Sequence, residues 1–168
     1  MPDMSELRTV RLRLRPLTSE DAASVHALWT MPAVASFIWD GRAVPIEHTI
    51  EILLRNEALF AQSHFGLWGA WREDDRLVAL TGLWHFRDPP ELELIYAVAD
   101  DACGLGYATE AAAAVVEYAV RELGMNDIRA SVDAPNEASA RVLAKLGFRF
   151  SRRATVGGLD TLFYERIG

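Results

Sequence analysis

The sequence predicts a single α/β or α+β domain built on a mixed β-sheet that helices cover. Short alternating or β-branched stretches recur along the chain, and two kinds of connection separate them. Tight polar turns predict hairpins, and amphipathic helical segments predict crossovers. Since hairpins make antiparallel neighbours and helical crossovers allow parallel ones, we expect a mixed sheet. The length of 168 residues fits one domain over 1–168.

Composition narrows the classes of function. The chain is 51% hydrophobic and 24% charged, as is typical of a globular protein. Its net charge of −7 argues against a nucleic acid partner and is compatible with a cationic substrate. The only cysteine, Cys103, excludes an internal disulfide, and the four histidines lack neighbours at metal-ligand spacing. With no apolar leader or membrane-spanning run, we predict a cytoplasmic protein without metal or membrane partner.

The first half of the chain shows one alternating strand, two helices and a hairpin. Leucines alternate with arginines up to Pro16, and Thr18 with Asp21 resembles a capping box at the start of a helix. Met31-Pro32 interrupts that helix, and Pro45 suits the first position of the next one. The predicted elements are a strand over 10–15, helices over 19–29 and 45–60, and hairpin strands over 65–71 and 77–86.

The second half alternates strands with helices and ends in a hairpin. Gly124 and Gly147 are placed to end helices, and Asn136 is placed to cap one. The final two strands are joined through Val156-Gly157-Gly158, with no helix between them. The predicted elements are a strand over 92–98, a helix over 107–123, a strand over 128–132, a helix over 136–146, and strands over 148–153 and 161–167.

A glycine turn stands immediately before the alanine-rich helix. Gly104 and Gly106 free the backbone there, and the first amides of a helix can hold a phosphate group without any lysine. A simple tight turn is the alternative. A P-loop is excluded because Tyr107-Ala108-Thr109 follows the second glycine instead of Lys-Ser or Lys-Thr. A dinucleotide fingerprint fits poorly because Thr109 stands in place of its third glycine.

Three stretches in this order resemble the GNAT superfamily of N-acetyltransferases, and within it the ribosomal-protein-alanine N-terminal acetyltransferases. They are ELIYAV at 93–98, GLGYATEA at 104–111 and NEASARVLAKLGF at 136–148, with LRLRPL at 12–17 similar to the family's opening strand. The resemblance covers essentially the whole chain. It implies a mostly antiparallel central sheet, flanked by helices and splayed at the strand that binds the coenzyme.

The resemblance also implies direct transfer of an acetyl group from acetyl-CoA to a primary amine, on a protein N-terminus or a small molecule. The diphosphate would lie on the glycine turn, the pantetheine arm along one strand, and an asparagine would also contact the coenzyme. Cys103 stands where the family has Arg or Gln, so one contact is expected to be weaker. The implied coenzyme residues are Ile95, Tyr96, Ala97, Val98, Cys103, Gly104, Leu105, Gly106, Tyr107, Ala108, Thr109 and Asn136.

The family chemistry needs a base for the amine and a group that stabilises the departing thiolate. Glu93 occupies the position of the family's glutamate, while Glu91, two residues earlier on the same strand face, and solvent remain alternatives. The tyrosine that many members use as thiolate acid is replaced by Leu143. Ser139 is the hydroxyl that this branch carries, and it is also a residue type common in first helical turns.

Trp39 and Asp40 lie between the first two helices, a region that commonly lines the acceptor pocket in GNAT proteins. An aromatic ring beside a carboxylate suits a cationic amine, and Glu91 is a further candidate for acceptor binding. Core packing is the alternative for Trp39.

Two other functions stay open at this point. A chain that binds an acyl-CoA without turnover would act as a sensor or regulatory module. A nucleotide-dependent oxidoreductase is disfavoured by Thr109 and by the hairpins. The terminal hairpin offers strand edges that could pair in a homodimer.

Overall fold

A single sheet of eight strands runs through the protein, which the computed structural model describes over residues 5–39, 41–86 and 90–168. The strand order is β1-β2-β3-β4-β5-β6-β8-β7. The strands are β1 (Leu7–Arg8), β2 (Arg13–Pro16), β3 (Leu67–Trp71), β4 (Leu77–Phe86), β5 (Glu91–Val98), β6 (Asp127–Asp133), β7 (Arg149–Val156) and β8 (Leu159–Ile167).

Within the described ranges, five helices connect and cover the strands. They are α1 (Ala22–Trp29), α2 (Pro32–Ile38), α3 (Ile46–Ser63), α4 (Tyr107–Arg121) and α5 (Glu137–Lys145), with short 3₁₀ turns at Ser19–Asp21 and Asp100–Ala102. Thr18 and Asp21 form the predicted capping box, although its first turn is a 3₁₀ turn and the α-helix begins only at Ala22. These helices flank the sheet, and all of its neighbouring strands except β5 and β6 are antiparallel. The predicted mixed, mostly antiparallel sheet flanked by helices is therefore confirmed.

The sheet divides at one junction. All pairs of neighbouring strands are antiparallel except β5 and β6, which run parallel and are in register at one residue pair, Glu93 with Arg129. By contrast, β5 pairs with β4 along its whole length, from Glu91 to Val98. Beyond Glu93 the two parallel strands diverge, which is the predicted splay.

The core lies between the sheet and its helices. Trp68 and Leu14 are fully buried on adjacent strands, and Val115 of α4 packs in the same cluster. Asn56 of α3 is also buried. Its amide donates to the carbonyl oxygens of Leu17 and Leu67 and accepts from the Leu67 N–H at 2.7 Å, so the helix is fastened to the ends of two strands.

Two elements were not predicted, and several boundaries differ from the predicted ones. The two-residue strand β1 pairs with β2, and α2 begins at Pro32, which takes a first-turn position although the sequence suggested only an interruption there. Pro45 is the residue before α3 instead of its first residue. The last hairpin turns on Gly157 and Gly158 alone, because both have positive φ and so allow pairing up to Val156 with Leu159.

Candidate active site

The divergence of β5 and β6 opens into a cleft of about 520 Å³. Helices α1 to α3 form one wall, and β6 with the start of α5 forms the other. The lining residues are Trp29, Phe37, Ile38, Trp39, His48, Ile52, Arg55, Leu67, Leu80, Trp84, Phe86, Glu93, Leu94, Ile95, Tyr96, Ala130, Ser131, Val132, Asp133, Asn136, Ser139, Val156, Leu159 and Thr161. The cleft thus contains several residues that the sequence singled out, from elements far apart in the chain.

Glu93 lies at the point where the two parallel strands part. Its side chain lines the cleft, it is only 3% exposed, and its Oε2 accepts a hydrogen bond from the Ser131 hydroxyl at 2.8 Å. Glu91, two residues earlier, is half-buried and does not line the cleft as the structure describes it. Of the two carboxylates, Glu93 is the one whose position suits contact with a substrate.

Asn136, Ser139 and Tyr96 are joined by hydrogen bonds across the opening. The Asn136 side chain caps α5 by accepting from the Ser139 N–H at 3.2 Å, as predicted for an N-cap. The Tyr96 hydroxyl donates to the Ser139 carbonyl oxygen at 2.7 Å. Burial raises the pKa of the Tyr96 phenol far above its ordinary value, so the phenol keeps its proton at neutral pH.

The predicted coenzyme positions on β5 divide into two that line the cleft and two that do not. Ile95 and Tyr96 line it, whereas Ala97 is buried and neither Ala97 nor Val98 is part of the described lining. Leu143, where many family members have a tyrosine, is fully buried in the core. A leucine has no proton to donate, so a hydroxyl group of another element would have to take the role of that tyrosine as thiolate acid.

The predicted glycine turn leads directly into α4. Gly104 and Gly106 have φ of +77° and +84°, and Gly106 is the N-cap residue. Glycine at the N-cap supplies no capping side chain, so the first amides of α4, which have no intrahelical partner, are suited to bind another acceptor. A Cβ added at Gly104 would meet nothing within 4 Å, so open space adjoins this turn. An uncapped helix start beside open space fits an anionic group such as a diphosphate.

Cys103 precedes the turn and is an exposed free thiol. Its Sγ lies 3.5 Å from the Ala99 carbonyl oxygen. Partial burial, with the carboxylates of Asp100 and Asp101, raises the pKa of this thiol. These neighbours disfavour the reactive thiolate form.

Arg11 is a site residue that the sequence did not indicate. It follows β1, yet its guanidinium lies on the glycine turn, where Nη1 donates to the Leu105 carbonyl oxygen at 2.9 Å. Glu110 binds the same guanidinium through its Oε2. The sequence predicted Arg11 within a strand over 10–15, whereas the observed strand begins only at Arg13. No local spacing links residues so far apart in the chain.

The wall of the cleft formed by α1 to α3 is rich in aromatic rings. Trp39 packs edge-on against Trp29 and His48, with ring centroids 5.5 and 5.4 Å apart. The buried Trp39 Nε1 has no hydrogen-bond partner in the described part of the chain. Asp40, the other predicted acceptor residue here, lies outside the described residues. Trp39 therefore combines packing with a place in the cleft wall.

Helix α2, which is part of this wall, contacts the segment that precedes the glycine turn. Asp100, just before the glycine turn, accepts from the Ala33 N–H at 3.3 Å and donates its own N–H to the Met31 sulfur at 3.3 Å. Both contacts lie at the start of α2. The wall formed by α1 to α3 and the segment leading to the turn are thus in direct contact.

Two further findings concern metal ions and membranes. Within residues 5–39, 41–86 and 90–168, no group of three or more His, Cys, Asp and Glu side chains is placed to hold a metal ion. No helix in those ranges is long and apolar enough to span a membrane.

Comparison with known proteins places this geometry in a family. A family model described as an acetyltransferase (GNAT) domain matches residues 11–149. The Bacillus subtilis protein named uncharacterized N-acetyltransferase YoaA is 30% identical over 145 residues, which cover 85% of this chain and 82% of that protein.

Solved structures share the fold. A GNAT-family acetyltransferase from Bordetella pertussis superposes with a TM-score of 0.85 at 21% identity, covering 96% of this chain and 98% of that one. RimL, the ribosomal L7/L12 alpha-N-protein acetyltransferase, in complex with coenzyme A, superposes with a TM-score of 0.81 at 14% identity, covering 96% and 97%. The resemblance seen in the sequence is thereby confirmed, and the chain belongs to the GNAT acetyltransferase family.

Proposed function

We propose that this protein transfers an acetyl group from acetyl-CoA to a primary amine by direct transfer within a ternary complex. The acceptor is a protein N-terminus, such as that of a ribosomal protein, or a small-molecule amine. The observation that carries the proposal is Glu93, a buried carboxylate where β5 and β6 part, lining a cleft that those strands open.

Main-chain and side-chain groups of this protein would hold the coenzyme at two places. The turn from Cys103 to Thr109 would hold the diphosphate through its amides and the positive end of the α4 dipole. The edge of β5 over 95–98 would bind the pantetheine arm as an added strand, and Asn136 would contact it from α5. When bound, acetyl-CoA supplies an acyl thioester at the cleft.

Glu93 is proposed to take the proton from the acceptor amine, directly or through a water molecule. The Ser131 hydroxyl holds one carboxylate oxygen, which limits the rotation of the side chain. A positioned base of this kind contributes about 10²–10⁴-fold to the rate. Glu91 remains the alternative, and the cleft geometry favours Glu93.

Ser139 and Tyr96 are the candidates for stabilising the departing thiolate. Both line the cleft, and both carry hydroxyl groups near the start of α5. Because burial raises the pKa of Tyr96, the phenol keeps its proton, and its single O–H would have to turn from the Ser139 carbonyl oxygen to the thiolate. Together they would supply the function that Leu143 lacks.

The wall formed by α1 to α3, together with Trp84 of β4, is the proposed acceptor wall. Its aromatic rings support an acceptor amine that is carried on a group with apolar surface. Trp39, Trp29 and Trp84 all contribute to the lining. Rings also attract cations, so a protonated amine is attracted to this wall before it loses its proton. Trp39 is the proposed contact.

Release of free thiol from acetyl-CoA, measured with a panel of amines and N-terminal peptides, tests the proposal. We expect release that depends on both acceptor and enzyme. Tight binding of coenzyme A without turnover on any acceptor would instead support a sensor that binds acyl-CoA. Binding of NAD but not coenzyme A would contradict both functions. A cytoplasmic location and a homodimer stay predictions.

A further inference from the structure

Arg11 makes a set of contacts that joins the N-terminal segment to the glycine turn. Its Nε donates to Glu110 Oε2 at 2.7 Å, its Nη2 lies 2.7 Å from the same oxygen, and its Nη1 donates to the Leu105 carbonyl oxygen at 2.9 Å. The guanidinium carbon also lies 4.5 Å from the centre of the Tyr107 ring. Several directed contacts therefore fix this guanidinium, although the side chain is 42% exposed.

Glu110 anchors Arg11 from the first turn of α4. Its Oε1 accepts from the Thr9 hydroxyl at 2.6 Å and from the Arg11 N–H at 2.9 Å, while its Oε2 binds the guanidinium. Burial acts to raise the pKa of Glu110, but these hydrogen bonds outweigh burial and lower it, so the carboxylate is ionised at neutral pH. Since Glu110 balances the charge of Arg11, the pair adds little net charge to the turn.

The contact with Leu105 determines how one peptide group faces. In a trans peptide, the carbonyl oxygen and the following N–H point in opposite directions. With the Leu105 oxygen held by Arg11, the Gly106 N–H must point away from the guanidinium. Glycine tolerates both signs of φ, so a peptide group between Gly104 and Gly106 would otherwise turn over at little cost.

We propose that Arg11, held by Glu110, is a positioning residue that fixes the Leu105–Gly106 peptide group so that the turn presents its amides to the diphosphate. The inference rests on the proposed coenzyme binding and adds a residue that the family motif does not contain. It also explains how the turn functions with Cys103 in place of Arg or Gln, because the order comes from a side chain far away in sequence.

Binding of coenzyme A, measured by calorimetry, tests this role in the full-length protein. We expect Arg11→Met to weaken coenzyme A on the order of tenfold or more, since the turn would lose its preorganisation. Arg11→Lys should lose nearly as much, because one ammonium group cannot make these directed bonds together. If simple charge attraction were the cause, Arg11→Lys would bind like the wild type. The matched control is Arg13→Met, which removes a neighbouring arginine that pairs with Asp75.

S-acetylpantetheine separates positioning from a general structural role, because this substrate lacks the diphosphate. We expect Arg11→Met to lower kcat/KM for acetyl-CoA while leaving kcat/KM for S-acetylpantetheine unchanged. Equal losses with both substrates, or unchanged coenzyme A affinity in Arg11→Met and Arg11→Lys, would overturn the inference. Should Arg11→Met not fold, Arg11→Lys gives the same comparison. Failure of the wild type to bind coenzyme A would overturn the proposed function itself.

Discussion

The two ends of the candidate site are built in different ways. The glycine turn is a contiguous segment, Cys103 to Thr109, whose proposed ligand contacts are main-chain amides. The proposed acceptor wall is assembled from side chains of α1, α2, α3 and β4, which are separated in sequence. Glu93 stands between them, at the parting of β5 and β6.

Because the two ends are built differently, damage to each end should affect a different measurement. A main-chain cradle depends on backbone conformation, so damage to it should weaken the coenzyme and leave the acceptor untouched. A wall of side chains depends on residue identity, so damage to it should affect the acceptor alone. A base between them should affect turnover and neither binding step.

The largest effect is expected from Glu93→Gln, which keeps the shape of the side chain and removes the base. Turnover should fall by about 10²–10⁴-fold while coenzyme A affinity stays nearly constant. The loss should shrink as pH rises, because more of the acceptor is then already deprotonated in solution. Initial rates across pH, together with calorimetry, measure both quantities.

Glu91→Gln is the matched control for the base. It lies two residues earlier on the same strand and outside the described cleft lining, so it should retain near-wild-type turnover. The reverse result would assign the base to Glu91. Full activity in both variants would leave deprotonation to solvent.

The next effect is expected from Gly106→Val. This glycine has a φ of +84°, which a β-branched residue rarely adopts, and an added Cβ would lie 3.3 Å from Arg11 Nη2. The Michaelis constant for acetyl-CoA should rise roughly 10-fold to 100-fold, since distorting the turn misdirects its amides. Steady-state kinetics with varied acetyl-CoA measure it.

Gly124→Val provides a control for backbone strain. Gly124 follows α4 at its other end, has a φ of +67°, and has open space around its Cβ position. This substitution should lower stability without altering coenzyme affinity. Equal affinity losses in the two variants would mean that strain, and not the diphosphate cradle, explains Gly106→Val.

A smaller effect is expected from Trp39→Ala. Loss of a ring contact of about 1–1.5 kcal/mol should raise the Michaelis constant for the acceptor roughly tenfold, with coenzyme A affinity unchanged. Phe150→Ala serves as the control, because this 58% exposed ring lies outside the described cleft lining. A coenzyme defect in Trp39→Ala would show that the two ends of the site are not separable, as the contact of Asp100 with α2 would allow.

The smallest effect concerns Tyr96 and alkaline pH. The folded state holds this phenol protonated, with a raised pKa, while an unfolded tyrosine ionises near pH 10. The contribution of the protonated phenol to the free energy of unfolding is therefore fully present below about pH 10 and is lost as pH rises beyond it. Thermal melts from neutral to alkaline pH should show a steeper fall for the wild type than for Tyr96→Phe. Parallel curves would contradict this.

Much of the fold follows from patterns of neighbouring residues. Alternation predicted most of the strands, and glycines and caps predicted most helix ends, because these signals act within a few residues. The helix α2 was missed since Pro32 both ends one helix and starts another. Strand β1 was missed because two residues are too few to show a period.

The candidate site likewise contains parts that neighbouring residues predict and parts that they do not. The glycine turn was predictable because consecutive residues form it, and the place of Glu93 on β5 was predictable from the strand motif that contains it. Arg11 and the assembled acceptor wall were not predictable, since tertiary packing alone brings Arg11 to Leu105 or Trp39 to Trp29. The hydroxyl of Tyr96 reaches Ser139 in the same way.

A crystal structure with bound coenzyme A tests the central claim most directly, namely that the glycine turn and the cleft form one coenzyme site. The predicted result has the diphosphate against the amides of 104–109, the pantetheine arm between β5 and β6, and the thiol in the cleft near Glu93. Another groove, of about 370 Å³, is lined by α4 together with Lys145 and Arg166. A diphosphate bound in that groove, with the glycine turn free of ligand, would contradict the claim.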